Sequence, residues 1–109
     1  MAFDEGLAAI MREDLAELGG ISEKKMFGGL CFLLNGNMVG GIHQNGAMFR
    51  IGKEREAEAM AVAGARPMDF TGRVMGGFVD VDDQAFADDE RRAVWMRLAV
   101  ENAASLPPK

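Results

Sequence analysis

The chain is expected to fold as a single α+β domain, an antiparallel β-meander sheet with helices packed on one face, in the order α-β-β-β-β-α-β-α. Three observations lead there. Two Asn-Gly pairs, Asn35-Gly36 and Asn45-Gly46, punctuate three apolar runs between Lys24 and Ile51. An Asn-Gly pair between alternating apolar residues is the strongest short-range hairpin signal, because both central positions of the favoured turn need positive φ. Apolar residues recur at helical spacing near both ends of the chain. Finally, 109 residues make one ordinary domain, able to bury roughly two-thirds of the surface its unfolded chain exposes.

In order, Asp4 is the expected N-cap of a first helix whose apolar stripe is Leu7, Ile10, Met11, Leu15 and Leu18, with Gly19-Gly20 ending the run. Glu5, Arg12, Glu13 and Glu17 form its solvated face. Ser22 to Phe27 reads as a short strand whose Lys24-Lys25 pair blunts a sheet edge. Gly28-Gly29 then lets the chain turn or bulge before the long apolar run begins.

The first hairpin has two registers. A two-residue loop at Asn35-Gly36 sets Leu33 opposite Met38 and Cys31 opposite Gly40. A three-residue loop, Asn35 to Asn37, sets Leu34 opposite Met38 and Phe32 opposite Gly40. A one-residue slip exchanges the two faces. The second hairpin, turning at Asn45-Gly46, is expected to pair Ile42 with Phe49 and Gly40 with Ile51. The three-residue loop is preferred, because it gathers Leu30, Phe32, Leu34, Met38, Ile42, Phe49 and Ile51 on one side and covers Gly40 with an aromatic ring. Cys31, Leu33, Val39, Gly41, His43, Met48 and Arg50 then line the other side.

Lys53 to Val62 reads as a short helix ended by Gly64 and offering Ala57, Met60 and Ala61 for packing. Gly64 to Arg73 holds too much Gly and Pro for regular structure and too many large residues for an idle loop. Val74 to Val81 returns as a strand. Asp82 and Asp83 turn the chain, and Asp88 or Asp89 caps a last helix running through Val94, Trp95, Leu98 and Val100 to about Ser105. Pro107-Pro108 stops it.

Composition excludes several functions. With 12 basic and 17 acidic residues the net charge is -5, so direct nucleic-acid binding lacks its usual drive from counterion release. One cysteine closes no internal disulfide, and one histidine supplies no Cys/His zinc set. No cofactor and no metal are expected. No apolar run approaches the roughly 20 residues of a membrane span, and Asp4 and Glu5 stand where a signal peptide is basic. A cytoplasmic protein away from membranes is expected.

Several segments carry a family resemblance. Lys24-Lys25-Met26-Phe27-Gly28-Gly29, the Asn35-Gly36-Asn37-Met38 turn, the Arg66-Pro67-Met68-Asp69-Phe70-Thr71-Gly72-Arg73 stretch and the closing Ala103-Ala104-Ser105-Leu106-Pro107-Pro108-Lys109 together resemble the N-terminal domain of the TfoX/Sxy regulators of competence. The stretch from Arg66 to Arg73 is the most specific, since no turn chemistry demands that order of residues. Many relatives carry a proline after its Gly-Arg pair and a lysine two residues later, where this chain has Val74 and Gly76. The resemblance covers essentially the whole chain and implies an antiparallel α+β fold of secretion chaperone-like architecture in a bacterial cytoplasmic protein. Full-length regulators carry a second domain beyond this region, so the resemblance implies a stand-alone N-terminal domain.

No residue stands out as catalytic. Cys31 lies inside an apolar strand, where cysteine acts as a small hydrophobe. His43 faces it diagonally without a third residue to orient the imidazole. The paired glycines match no phosphate-binding fingerprint, and the nine methionines suit an adaptable core. Arg66, Asp69 and Arg73 form the one constellation suited to grip an anionic ligand, or else to pin their loop by pairing internally. The function expected is a non-enzymatic regulatory or protein-interaction module. The alternative is a small anionic-ligand-binding or enzymatic domain built on Arg66, Asp69 and Arg73. A homodimer is expected through the second sheet face at Leu33, Val39 and Met48, with a further protein partner and no nucleic acid or membrane.

Overall fold

The computed structural model describes residues 3–26, 28–70 and 73–109, with nothing said of the side chains at 70 and 73–75. Helix α1 spans Glu5–Asp14, and the Asp4 carboxylate caps it by accepting from the Gly6 and Leu7 N–H groups at 2.7 and 3.3 Å. Leu15 already closes the helix. Leu18 therefore falls in the following turn, 39% exposed, and does not continue the apolar stripe.

Strands β1 (Ile21–Met26), β2 (Gly29–Leu34), β3 (Asn37–His43) and β4 (Gly46–Arg50) form the expected antiparallel meander. A 3-10 turn at Lys53–Arg55 leads into α2 (Glu56–Met60), and β5 (Ala65–Phe70) and β6 (Arg73–Asp82) follow. Short α3 (Asp83–Ala87) and long α4 (Asp89–Ser105) complete the chain, capped by Asp82 and Asp88 respectively. All pairings are antiparallel in a six-stranded sheet of order β1-β2-β3-β4-β6-β5. The domain is α+β, as expected, with one more strand and one more short helix than the sequence suggested.

The added strand corrects the irregular reading of Gly64 to Arg73. Proline is tolerated on an edge strand or at a bulge because a missing N–H costs no interior ladder bond. Pro67 meets both conditions, since β5 is the outer strand and its register against β6 shifts between Pro67 and Met68. At the opposite edge, β1 presents Lys24 and Lys25 to solvent, and Arg12 of α1 grips Glu23 through two contacts of 2.6 and 2.9 Å. Phe27, Thr71 and Gly72 lie outside the described residues.

Each expected hairpin register needs revision. At the first turn Asn35 and Gly36 both have positive φ, at 51° and 85°, as the favoured two-residue turn demands. Leu33 accordingly faces Met38, yet deeper in the hairpin Phe32 faces Gly40, so Val39 is the extra residue of a bulge. The two candidate registers each hold on one side of that bulge. At the second turn His43 pairs with Gly46, Ile42 with Ala47 and Gly40 with Phe49, so Gln44 and Asn45 form the loop. The pairing is displaced by two residues, which leaves every side chain on its expected face. Gly46 is a strand residue whose Cβ would lie 2.2 Å from the Val81 carbonyl oxygen, and close approach to β6 is what requires glycine there.

One cluster of buried side chains forms the core. It joins Leu7, Met11 and Leu15 from the first helix region, Phe32, Ile42, Phe49 and Val79 from the sheet, Ala59 of α2, Phe86 of α3, and Trp95 and Leu98 of α4. Every helix contributes to this cluster, so all of them pack on one face of the sheet. Phe49 sits at its centre with ring centroids 5.9 Å from Phe86 and 6.0 Å from Trp95, contacts worth about 0.5–1.5 kcal/mol each beyond area burial. The Trp95 indole donates to the Ala59 carbonyl at 3.1 Å. Ala59 is thus the packing residue of α2, while Ala57 and Ala61 are exposed.

Arg92 ties the helices together. Its guanidinium donates to Asp14 at 2.7 Å, to the Phe86 carbonyl at 3.0 Å and to Asp89 at 2.9 Å, and lies 5.6 Å from the centre of the Phe86 ring. Burial opposes its charge, but Asp14 and Asp89 outweigh burial and hold its pKa above the ordinary value. A second tie closes the other end. The Asn37 side-chain amide, buried, donates to the Pro107 carbonyl at 2.9 Å, and the Lys109 N–H donates to the Asn35 carbonyl at the same distance. The Asn-Gly-Asn turn and the closing Pro-Pro-Lys segment, two of the stretches that carry the resemblance, are therefore one packed unit.

Candidate functional site

With the helices gathered on one side, the other face of the sheet is open. The strand registers align Lys24, Cys31, Gly41, Met48, Asp80 and Arg66 in one row across it. Leu33 and Met38 pair with each other in the next row of β2 and β3. Leu33, Met38, Met48 and Phe78 are all half-buried. Two of the expected dimer-face residues, Leu33 and Met48, thus lie on the open face. Val39 does not. The bulge turns it inward, it is fully buried in the core, and Met38 takes its place outside.

Cys31 is buried although it lies on this face, because Gly41 beside it has no side chain and the Cys31 Sγ lies only 3.3 Å from where a Cβ at Gly41 would stand. Burial pushes the thiol pKa up, which disfavours the reactive thiolate. His43 is held by a residue that sequence reasoning missed. Its Nε2 lies 2.6 Å from Asp80 Oδ1, while its Nδ1 accepts the Asn45 N–H at 3.1 Å. That acceptor role places the ring proton on Nε2, facing the carboxylate. Both nitrogens are engaged, so the imidazole has no lone pair to offer Cys31.

Asp80 is the hub of this face. Its second oxygen accepts from Arg66 Nε at 2.9 Å. Burial, the largest single influence, raises the Asp80 carboxyl, but the hydrogen bonds and charges of His43 and Arg66 together bring it below the usual carboxylate range. Arg66 is thereby paired across strands with Asp80, not with Asp69 as an internal pin of its loop would require. Asp69 is exposed on β5, and the Arg73 side chain lies outside the described residues. Only the pairing of β6 between β4 and β5 brings Asp80 to His43, and no local spacing announces that insertion.

Two concavities lie elsewhere. A groove of about 350 Å³ between the end of α1 and α4 is lined by Asp14, Arg92, Met96 and Val100 among others. A smaller hollow of about 190 Å³ lies where β4 ends, beside Gly76, Gly77 and the last turns of α4. Among the described residues no group of three or more His, Cys, Asp or Glu side chains is arranged to hold a metal, and no helix is long and apolar enough to cross a membrane.

Fold and face define a class: a small α+β domain with a one-sided sheet and a salt-bridged, partly apolar open surface. The chain matches the TfoX N-terminal domain family over residues 13–103, and it belongs to that family. No curated protein and no solved structure matches it. The likeness to secretion chaperones rests on the family resemblance alone.

Proposed function

We propose that this domain is a non-enzymatic regulatory or protein-interaction module, and that the open face of its sheet is the working surface. The observation that carries this reading is the one-sided distribution of helices, which leaves Leu33, Met38 and Met48 half-buried on the face where, among the described residues, no helix packs. A partner covering them buries more apolar area without rearranging the fold. The occupant assigned to this face is a second copy related by a twofold axis, the commonest arrangement by which a small domain hides such a surface. The cluster of His43, hydrogen-bonded to Asp80, and Arg66, salt-bridged to it, supplies at one side of the patch a polar rim of the kind that fixes register between partners.

This surface works on protein and not on nucleic acid. The net charge of -5 opposes a phosphate backbone. A cytoplasmic, reducing setting agrees with a buried free thiol at Cys31. Gel filtration across micromolar concentrations tests the reading. A dimer that dissociates on dilution supports it, and a monomer at every concentration removes its basis. A gel shift with random duplex at about 150 mM salt, where weak electrostatic contacts are screened, should show no binding. A submicromolar complex there would assign the domain to DNA.

A further inference from the structure

Arg50 stands apart from the other arginines whose side chains are described. Arg12, Arg55, Arg66, Arg91, Arg92 and Arg97 each lie within ion-pair distance of a carboxylate, whereas among the described residues none lies so near Arg50. In a chain with 17 acidic against 12 basic residues, a half-buried arginine without an acid is the anomaly. It lines the hollow of about 190 Å³ together with Lys53, which also lacks an ion pair among the described residues; no carboxylate is among the lining residues, although Gly77, which lines it, donates its N–H to Glu56 Oε1 at 3.0 Å.

The geometry points to a binding site for a small phosphomonoester in this hollow. The floor is glycine backbone, from Gly52, Gly76 and Gly77. A Cβ at Gly76 would lie 3.1 Å from Lys53 Cε, so the lysine stem lies along Gly76. Positive φ at Gly52 and Gly77, 92° and 85°, gives the turns that bring these two segments together, where the Ile51 and Gly52 N–H groups both donate to the Gly77 carbonyl. Phe78 forms one wall, and Asn102 and Leu106 of the α4 end form the other.

Charge and size select the ligand. Two cations from separate segments match a phosphomonoester, which carries about -1.5 to -2 at neutral pH, better than a monocarboxylate. Arginine supplies planar, bidentate contacts and lysine a mobile point charge. The hollow is smaller than the roughly 300–1,000 Å³ of drug-sized sites, so it admits the phosphate and a short substituent lying against Phe78. This site lies at the end of β4, one row along the sheet from Met48, Asp80 and Arg66, and it borders the open face at Arg50 and Phe78.

Titration of the whole chain with phenyl phosphate, inorganic phosphate and benzoate, followed by amide chemical shifts, tests the assignment. Phenyl phosphate is expected to shift Gly52, Gly76, Gly77 and Phe78 with a Kd of about 1 mM or tighter, a range accessible to such weak contacts. Inorganic phosphate should bind the same residues more weakly and benzoate weakest of all. Arg50→Gln and Lys53→Gln should each weaken phenyl phosphate about tenfold, and Lys24→Gln, a surface lysine elsewhere, should not. Because Lys53 is exposed and Arg50 makes no ion pair among the described residues, both variants should melt like the parent protein. Shifts scattered over all the basic residues, equal weakening by Lys24→Gln, benzoate binding as tightly as phenyl phosphate, or no saturable shift at Gly76 and Gly77 would each overturn the proposal.

Discussion

The two faces of the sheet are made from the same strands by an alternation broken only where the register shifts at Val39 and at Pro67, yet they are composed differently. The helix-covered face carries Phe32, Ile42, Phe49 and Val79, fully buried and joined to Trp95 and Phe86. The opposite face carries charged and half-buried residues, with Asp80 bridging His43 and Arg66. Substitution on the first face removes contacts that hold the domain together. Substitution on the second leaves that packing in place. The contrast teaches that what holds this fold together and what it presents to solvent are divided between neighbouring residues of one strand.

The largest effect is expected at the centre of the covered face. Phe49→Ala should cost about 3–5 kcal/mol, the range for emptying a buried aromatic site, and chemical denaturation would measure it. Arg92→Ala should cost about 3 kcal/mol, since it leaves the Phe86 carbonyl without its donor and two carboxylates without their cation. If instead Arg92→Ala were neutral in a urea melt, the helices would be held by apolar packing alone. Asn37→Ala should cost about 1–2 kcal/mol by releasing the Pro107 carbonyl, and should speed hydrogen exchange at Lys109.

Effects on the open face should be smaller and of a different kind. Asp80→Asn is expected to cost about 1 kcal/mol at neutral pH. The folded pKa of Asp80 is lowered, so its contribution is fully present above the unfolded value of about 3.9 and is lost as the pH falls through the lower folded value. Stability curves of parent and variant should therefore converge in acid. Curves that stay parallel down to that range would show that Asp80 acts through packing instead.

The covered face was largely legible in the sequence because burial imposes a period of two, and Leu30, Phe32, Leu34, Ile42, Phe49 and Ile51 all fall where alternation puts them. Val39 escaped it, since a bulge inserts one residue and no residue type declares one. The Asn45-Gly46 pair misled by one position because Gly46 is required by contact with β6, a constraint invisible to turn chemistry. The Arg66 to Phe70 segment hid as a strand because its proline is acceptable only on an edge. The partnership of His43 with Asp80 was illegible for the same topological reason: β6 lies between β4 and β5. Arg50 could have been suspected from nothing local, because its anomaly is the absence of an acid in space.

The separation of the two faces is tested most directly by Leu33→Glu, read in parallel by light scattering at micromolar concentration and by circular dichroism. The parent protein is expected to have the mass of a dimer, and Leu33→Glu the mass of a monomer with unchanged helical content and a cooperative melt. A monomeric parent protein, a dimer indifferent to Leu33→Glu, or a variant that loses its fold would contradict it.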